Sequence, residues 1–356
     1  MNLEDLLKRL VEAPSLSGQE GPAADLLQGI LEGEGISVTR AGHNLVFEIG
    51  SGAPRLLLLS HLDTVPPGAG WSGDPWKPEW MEGRLTGLGA NDAKGCVAAM
   101  TGAALGLRSA ELPGTLVFAF AAEEETGSGG IEAILPRLGA LDAAIVGEPT
   151  GLQVCAAQRG MLILRCLARG ESAHVAHARL GENAIHKAAR DIARLELFRF
   201  EGHPLLGAPR AQVTQIGGGI ARNLVPDACE FFIDLRTTPN LEHDELLRFF
   251  AGQLESEVSI HSDRYLPRAT DPAEPVVQAA LAAAGVANPV GSATTSDWAC
   301  LGELPAVKVG PGDTHRSHRP DEYLLATELH RGAAFYAAAA LGYLRTMQAR
   351  KEASHA

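Results

Sequence analysis

Hydrophobic and polar positions follow two different rhythms along the chain. In the first part, short unbroken apolar runs, LLLLS at 56–60, TLVFAF at 115–120 and DAAIVG at 142–147, have the length and continuity of strands buried on both faces. Between them, residues 94–112 and 130–138 have helical length and an Ala/Leu-rich composition. That order predicts an α/β fold with a largely parallel sheet covered by helices. The N-terminal MNLEDLLKRLVEAPS sets Leu3, Leu6, Leu7, Leu10 and Val11 at helical spacing among charges, so an amphipathic helix is expected there. From about 162 to 262 the rhythm changes. Strand-like runs at MLILRCLARG, QVTQIGG and ACEFFIDLR surround helical segments near 183–197 and 242–254, the pattern of a smaller α+β unit inserted into the first. After RYLPRATDP the helix–strand rhythm returns and closes with a long Ala-rich helix near 324–344. The chain thus reads as 1–158, an insert at 159–264, and 265–356, with the tail KEASHA expected to be disordered.

Composition narrows the partners. The 356 residues carry a net charge of −13 with no clustered Lys and Arg, which argues against nucleic acid and anionic membranes. No apolar run reaches spanning length, and the first residues do not form a signal peptide. The five cysteines, Cys96, Cys155, Cys166, Cys229 and Cys300, are odd in number, scattered and never in a CxxC pair, so buried thiols in a reducing cytoplasm are expected.

Chemistry-bearing residues cluster at the ends of the strand-like runs, where open parallel sheets place their ligand sites. LLLLS leads into HLDTVP with His61 and Asp63, and TLVFAF into three adjacent glutamates, Glu123, Glu124 and Glu125. DAAIVG leads into GEPT with Glu148, and AVKVG into GPGDTHRSHRPDEY with His315 and His318. The loop LTGLGANDAKG brings Asp92 to the start of a helix. Singly, each has an ordinary reading: an HxD is common, and an acidic triplet after a strand also suits a helix N-terminus. Together they supply imidazole nitrogens and carboxylate oxygens, the donors of divalent metals. An Asp two residues after a His points to the same side of an extended segment and suits a carboxylate that holds the ring. So dense a set of acids fits two metals sharing a bridging carboxylate, with one glutamate of the triplet on metal and its neighbour moving protons.

In series, HLDTVP, GLGANDAKG, EEETGSGG, GEPT and GPGDTHRSHRPDEY resemble the ordered signature of the M20 metallopeptidase and deacylase family over nearly the whole chain. The resemblance implies a zinc-peptidase type catalytic domain carrying an inserted lid and dimerisation domain. It implies two zinc ions per chain, replaceable by cobalt, with Asp92 bridging, His61 and Glu148 completing one site, and Glu125 and His318 the other. Glu124 would be the general base, Asp63 would orient His61, and the Asp92–Ala93 peptide would be cis. Glu123 stands where the family usually has Asp, and Ala93 where it often has a second Asp. In the insert, His174 matches a histidine that reaches a neighbouring subunit's active site and polarises the scissile carbonyl. Asn223 and Arg236 match residues that contact substrate oxygens. TSDW matches a substrate-side loop through Thr295 and Ser296, with Trp298 where a smaller residue is usual.

The implied reaction is hydrolysis of the amide of an N-acylated amino acid by a cytoplasmic homodimer. The terminal block is most similar to acetylornithine deacetylase, which points to N-acetylornithine or N-acetyllysine in arginine or lysine biosynthesis. Release of lysine or ornithine from an amino-group carrier protein, desuccinylation of succinyl-diaminopimelate, and carboxypeptidase or dipeptidase activity are the alternatives within the family. A single-metal aminopeptidase would need fewer carboxylates. A non-catalytic binding protein of the same fold would lack a ligand or the base, and all six of those positions are filled.

Overall fold

The computed structural model describes residues 2–127 and 129–355. It divides the chain into two compact units, Met1–Ala156 with Ala269–Val290 and Ser296–Ala356, and Ala157–Arg268 with Gly291–Thr295.

The first unit is built on a nine-stranded mixed sheet, seven of whose strands lie in the order Thr39–Ala41, Asn44–Gly50, Thr115–Ala121, Arg55–His61, Ala143–Val146, Ala306–Lys308 and Cys155–Gln158. The four from Thr115–Ala121 to Ala306–Lys308 run parallel. The outer pairings are antiparallel. The central strands are buried along almost their whole length, which is why their sequences are continuous apolar runs and do not alternate. Leu57, Leu59, Val117, Ala119, Val146 and Trp298 belong to one core cluster of this unit. The helix Lys94–Leu107 packs against both Leu3–Glu12 and the 30-residue helix Ala326–His355. Gly102 permits the first of these approaches, because a Cβ there would meet Leu3 Cδ2 at 2.6 Å. Asn2 caps the N-terminal helix by accepting from Glu4 N at 2.8 Å, and the face bearing Leu6, Leu7, Leu10 and Val11 is buried.

Three local expectations need correction. The helix expected over 94–112 stops at Leu107, before the turn that leads to Gly114. The segment 130–138 is a short helix, Gly129–Ile134, followed by a single 3-10 turn with Pro136 in its first positions, where a missing N–H ends the α-helical ladder. The described part of the tail is helical, against the expected disorder: the C-terminal helix runs on to His355, with an i,i+4 bond from Gln348 to Glu352 at 3.1 Å, while Ala356 lies outside the described residues.

The second unit is a four-stranded antiparallel sheet in the order Arg210–Gly218, Ala228–Thr237, Gly160–Arg169, Glu257–Tyr265. Its two inner strands alternate buried and partly exposed residues, the signature of a sheet with one packed face. Leu162, Leu164, Phe231, Ile233 and Phe250 form its core together with residues of the helices Ala184–Leu195 and His243–Gln253. The edge strand Arg210–Gly218 is mostly exposed, with Ile216 and the nearby Ile220 open to solvent.

All five cysteines are free thiols, four of them buried. Among the described residues no helix is long and apolar enough to cross a membrane.

Candidate metal centre

The carboxyl ends of the parallel strands and one helix start gather the acidic and imidazole groups of the first unit. His61 is the last residue of its strand. Glu148 follows Ala143–Val146 by two residues, Asp92 precedes the helix at Lys94, and His318 sits in the loop after Ala306–Lys308. Glu123, immediately after the strand Thr115–Ala121 and Ala122, takes a left-handed conformation with φ 57°. That reversal starts the 3-10 turn Glu124–Thr126, and it splits the triplet: Glu123 is exposed while Glu124 and Glu125 are partly buried.

Asp63 fixes the turn and the first histidine together. Its two carboxylate oxygens accept from the backbone N–H of Glu124 at 3.1 Å and of Glu125 at 3.0 Å, and Ser17 Oγ donates to it at 2.6 Å. His61 Nδ1 lies 3.3 Å from Asp63 Oδ1 and 3.1 Å from the Asp63 carbonyl. This leaves Nε2 directed at Asp92 Oδ1, 3.3 Å away, and Glu148 Oε1, 3.9 Å away. The other oxygen of Asp92, Oδ2, is 3.8 Å from His318 Nε2, which is itself 2.9 Å from Glu125 Oε1. Two ligand clusters follow, His61–Asp92–Glu148 and Asp92–Glu125–His318, joined by Asp92; Glu124 forms a third grouping with His61 and Glu125. The peptide bond between Asp92 and Ala93 is cis.

The electrostatics of the pocket are those of crowded, buried acids and imidazoles. Burial, reinforced by the charge of Asp92, pushes Glu148 up to about 8. Burial also lifts Glu124 well above the usual carboxylate range; His61 opposes that shift, and the charges of Glu148, Asp297 and Glu125 add to it. His61 is disfavoured as a cation by burial, yet Asp63 and Asp92 outweigh this and hold its pKa well above normal. The hydrogen bond to Glu125 raises His318 to about 9. Glu148 and Glu124 therefore hold protons unless a cation replaces them, while Asp92 and Asp63, against the cost of their burial, are kept below the usual carboxylate range by His61. The donor set, imidazole nitrogen with carboxylate oxygen, is that of zinc and related divalent ions. Two donors about 2.0–2.1 Å from a tetrahedral ion stand roughly 3.3 Å apart, the separation of His61 Nε2 from Asp92 Oδ1. The residues present fit a pair of divalent metals.

Several contributors escaped the sequence. Glu322 is buried, and its Oε1 accepts from the backbone N–H of Asn91 at 2.8 Å and of Asp92 at 2.9 Å. Asn91 exchanges bonds with the His318 loop: its Oδ1 accepts from Asp313 N at 2.8 Å, and its Nδ2 donates to Asp313 O at 3.1 Å and Ser317 Oγ at 3.2 Å. Ser17 lies far from every quoted motif, whereas Asn91 and Glu322 lie inside two of them, where adjacency to a ligand was the only available signal.

His174, Asn223, Arg236 and Thr295 belong to the second unit. His174 is exposed and heads the 3-10 turn Val175–Leu180, its Nδ1 accepting from Ala176 N at 3.2 Å. The adjacent Val175 donates its N–H to Asn223 O at 3.0 Å, so the two segments run side by side. Arg236 is held in two hydrogen bonds by Asp234, at 2.9 and 3.1 Å. Thr295 Oγ1 donates to Arg159 O at 3.4 Å within the same unit. Ser296, by contrast, is buried in the first unit, where its Oγ accepts from Trp298 N at 3.4 Å and caps a short turn.

The chain is similar to known proteins in sequence and in fold. A family model described as peptidase family M20/M25/M40 matches residues 57–342. The chain is 30% identical over 339 residues to N-acetyl-L-citrulline deacetylase of Xanthomonas campestris, with 89% of this chain and 90% of the relative covered. It is 30% identical over 361 residues to acetylornithine deacetylase of Proteus mirabilis, covering 90% of this chain and 91% of the relative. Among solved structures, a tripeptidase from Staphylococcus aureus matches with a TM-score of 0.81 at 22% identity, covering 96% of this chain and 98% of the other. A dinuclear metal-binding M20 peptidase from Bacillus subtilis matches with a TM-score of 0.77 at 19% identity, covering 97% and 98%.

Proposed function

The chain belongs to peptidase family M20/M25/M40, a family of metal-dependent hydrolases, and on that footing we propose that it deacylates an N-acylated amino acid, N-acetylornithine or N-acetyllysine first, using two zinc ions. The observation that carries this reading is Asp92, whose two oxygens face two separate histidine–glutamate pairs while Glu124 stays outside both clusters. His61, Asp92 and Glu148 would hold one ion and Asp92, Glu125 and His318 the other; cobalt would substitute. The deacetylases of X. campestris and P. mirabilis, at 30% identity over most of the chain, support an acylated amino acid as substrate.

When bound, such a metal pair supplies Lewis acidity, activating water and withdrawing charge from the amide carbonyl. The rest is the chain's own work. Glu124, anchored through its backbone N–H to Asp63, takes a proton from the attacking water as the C–O bond forms. It then passes that proton to the amine nitrogen as the C–N bond breaks, giving a carboxylate and a free amine. Asp63 keeps His61 in the orientation that exposes Nε2. His174 accepts an N–H at Nδ1, which leaves its proton on Nε2 as a donor for the carbonyl oxygen. Asn223 and Arg236 would bind substrate oxygens, with Thr295 and Ser296 lining the substrate side. His174 would act from a second subunit of a homodimer; the open edge strand Arg210–Gly218 and Ile220, 90% exposed, support an interface on the second unit.

The test is a zinc-loaded activity panel of N-acetylornithine, N-acetyllysine, N-succinyl-diaminopimelate, dipeptides and an aminoacylated carrier protein. The highest kcat/KM is expected on one of the two acetylated amino acids. Faster turnover of dipeptides or of the carrier-linked substrate would overturn the substrate assignment, and no hydrolysis of any of them would overturn the reaction class.

A further inference from the structure

His318 poses a positioning problem that its own contacts do not solve. Its side chain is 52% exposed, its φ is +58°, and among the described residues its polar partners are the two carboxylates that share its cluster. A side chain so open to water, on a backbone conformation that costs a non-glycine residue free energy, takes its place from the loop that carries it. Tyr323, five residues on, has one guanidinium 3.9 Å from its ring centroid, that of Arg84, and a second 4.2 Å away, that of Arg316. Both guanidiniums thus lie within cation–π distance of the one ring. Arg316 is two residues from His318 and is fixed from behind by Glu328, in the first turn of the C-terminal helix, through bonds of 2.7 and 3.0 Å. Arg84 comes from a separate strand, Arg84–Thr86, paired with Tyr323–Leu325. The ring therefore joins loop, strand and helix into one brace.

We propose that Tyr323, whose ring carries both Arg84 and Arg316, is a positioning residue that sets the affinity of the ion held by Asp92, Glu125 and His318 while leaving the ion at His61, Asp92 and Glu148 untouched. This rests on the two-metal reading above. The selectivity follows from construction. His61 is locked by a strand and by Asp63, neither of which meets the brace, whereas His318 reaches its carboxylates only while the loop is held. Removing the ring takes away both cation–π contacts, and with them the link from the loop to the strand. The hydroxyl contributes nothing to the stack, so phenylalanine should serve as well.

The experiment is calorimetric zinc titration of the metal-free protein, full chain, with His318→Ala identifying which binding step belongs to the loop-side ion. Wild type should bind two ions. Tyr323→Leu should weaken the step lost in His318→Ala by at least about 10-fold, the range for partners of metal ligands, and leave the other step unchanged. Tyr323→Phe should behave as wild type, and Arg84→Ala, a milder surface change, should move the same step in the same direction. Equal weakening of both steps, two unaltered steps in a Tyr323→Leu protein that merely melts earlier, or a Tyr323→Phe protein as impaired as Tyr323→Leu would each overturn the proposal. A wild type that binds no zinc would overturn the two-metal reading, and this inference with it.

Discussion

Asp92 faces two histidines that are built in different ways. His61 ends a strand with parallel neighbours on both sides, is 1% exposed, and has its far nitrogen held by a buried carboxylate. His318 lies on a half-exposed loop in a left-handed conformation, held by Asn91, by Ser317 and by the stack around Tyr323. One side of the centre takes its geometry from the packed sheet; the other takes it from polar and cation–π contacts between loops. Sheet geometry is expensive to disturb, because every strand residue is tied to two neighbours and to a dense core. Loop geometry has fewer supports, so the two sides should answer differently to the same kind of change.

The largest effect should come from the group that belongs to both sides. Asp92→Ala is expected to abolish stable binding of both ions and to bring hydrolysis below detection, measured by metal analysis after desalting together with an activity assay. Retention of one tightly bound ion would show that the two sides are independent. Glu124→Gln should separate chemistry from binding: kcat falls by about 10²–10⁴-fold with both ions retained. If metal content falls and Glu125→Gln instead spares it, the roles within the triplet are exchanged.

A smaller and more discriminating difference concerns stability without metal. His61→Ala removes a buried ring and strands Asp63, and should cost roughly 1–3 kcal/mol in urea denaturation of the metal-free protein. His318→Ala should cost no more than about 1 kcal/mol, the range of a solvent-screened ion pair, because the side chain that bonds Glu125 is half exposed. Equal costs would remove the distinction between the two sides.

The smallest effect is a pH trend. Glu148 and Glu322 are pushed up to about 8, chiefly by burial, and His318 to about 9, chiefly by Glu125. In each, the folded chain keeps a proton that the unfolded chain has already released, so metal-free stability falls as pH rises through that window. Lys94, lowered to about 7 by burial, and Lys308, also lowered, act in the opposite direction. With more groups raised than lowered, Tm of the metal-free protein should drop between pH 6 and 8, and the gain on adding zinc should grow, since zinc replaces those protons. A flat or rising metal-free Tm would show that the carboxylates are not charge-stressed.

How much of this was legible in the sequence differs along the same divide. The runs at 56–60, 115–120 and 142–147 could be read as strands because a parallel strand buried on both faces must be apolar throughout. His61, Asp92, the glutamate triplet, Glu148 and the pair His315 and His318 could be picked out because they follow such runs or open a helix; the choice of Glu125 and His318 among them came from the family resemblance, and the fold brings the five ligand candidates together. The left-handed turn at Glu123, which separates the triplet, leaves no mark in composition, since a glutamate rarely adopts it. Nor do the backbone bonds to Glu322 or the two guanidiniums around Tyr323, which depend on segments distant in the chain. Helix ends failed for local reasons, as at Pro136 and in the tail.

The most direct test of the account is the metal content of the active protein. Purified, desalted and shown to hydrolyse its best substrate, the chain should carry about two zinc ions, lose activity on chelation in step with their removal, and regain it with zinc or cobalt. Full activity in protein that carries no metal would contradict it.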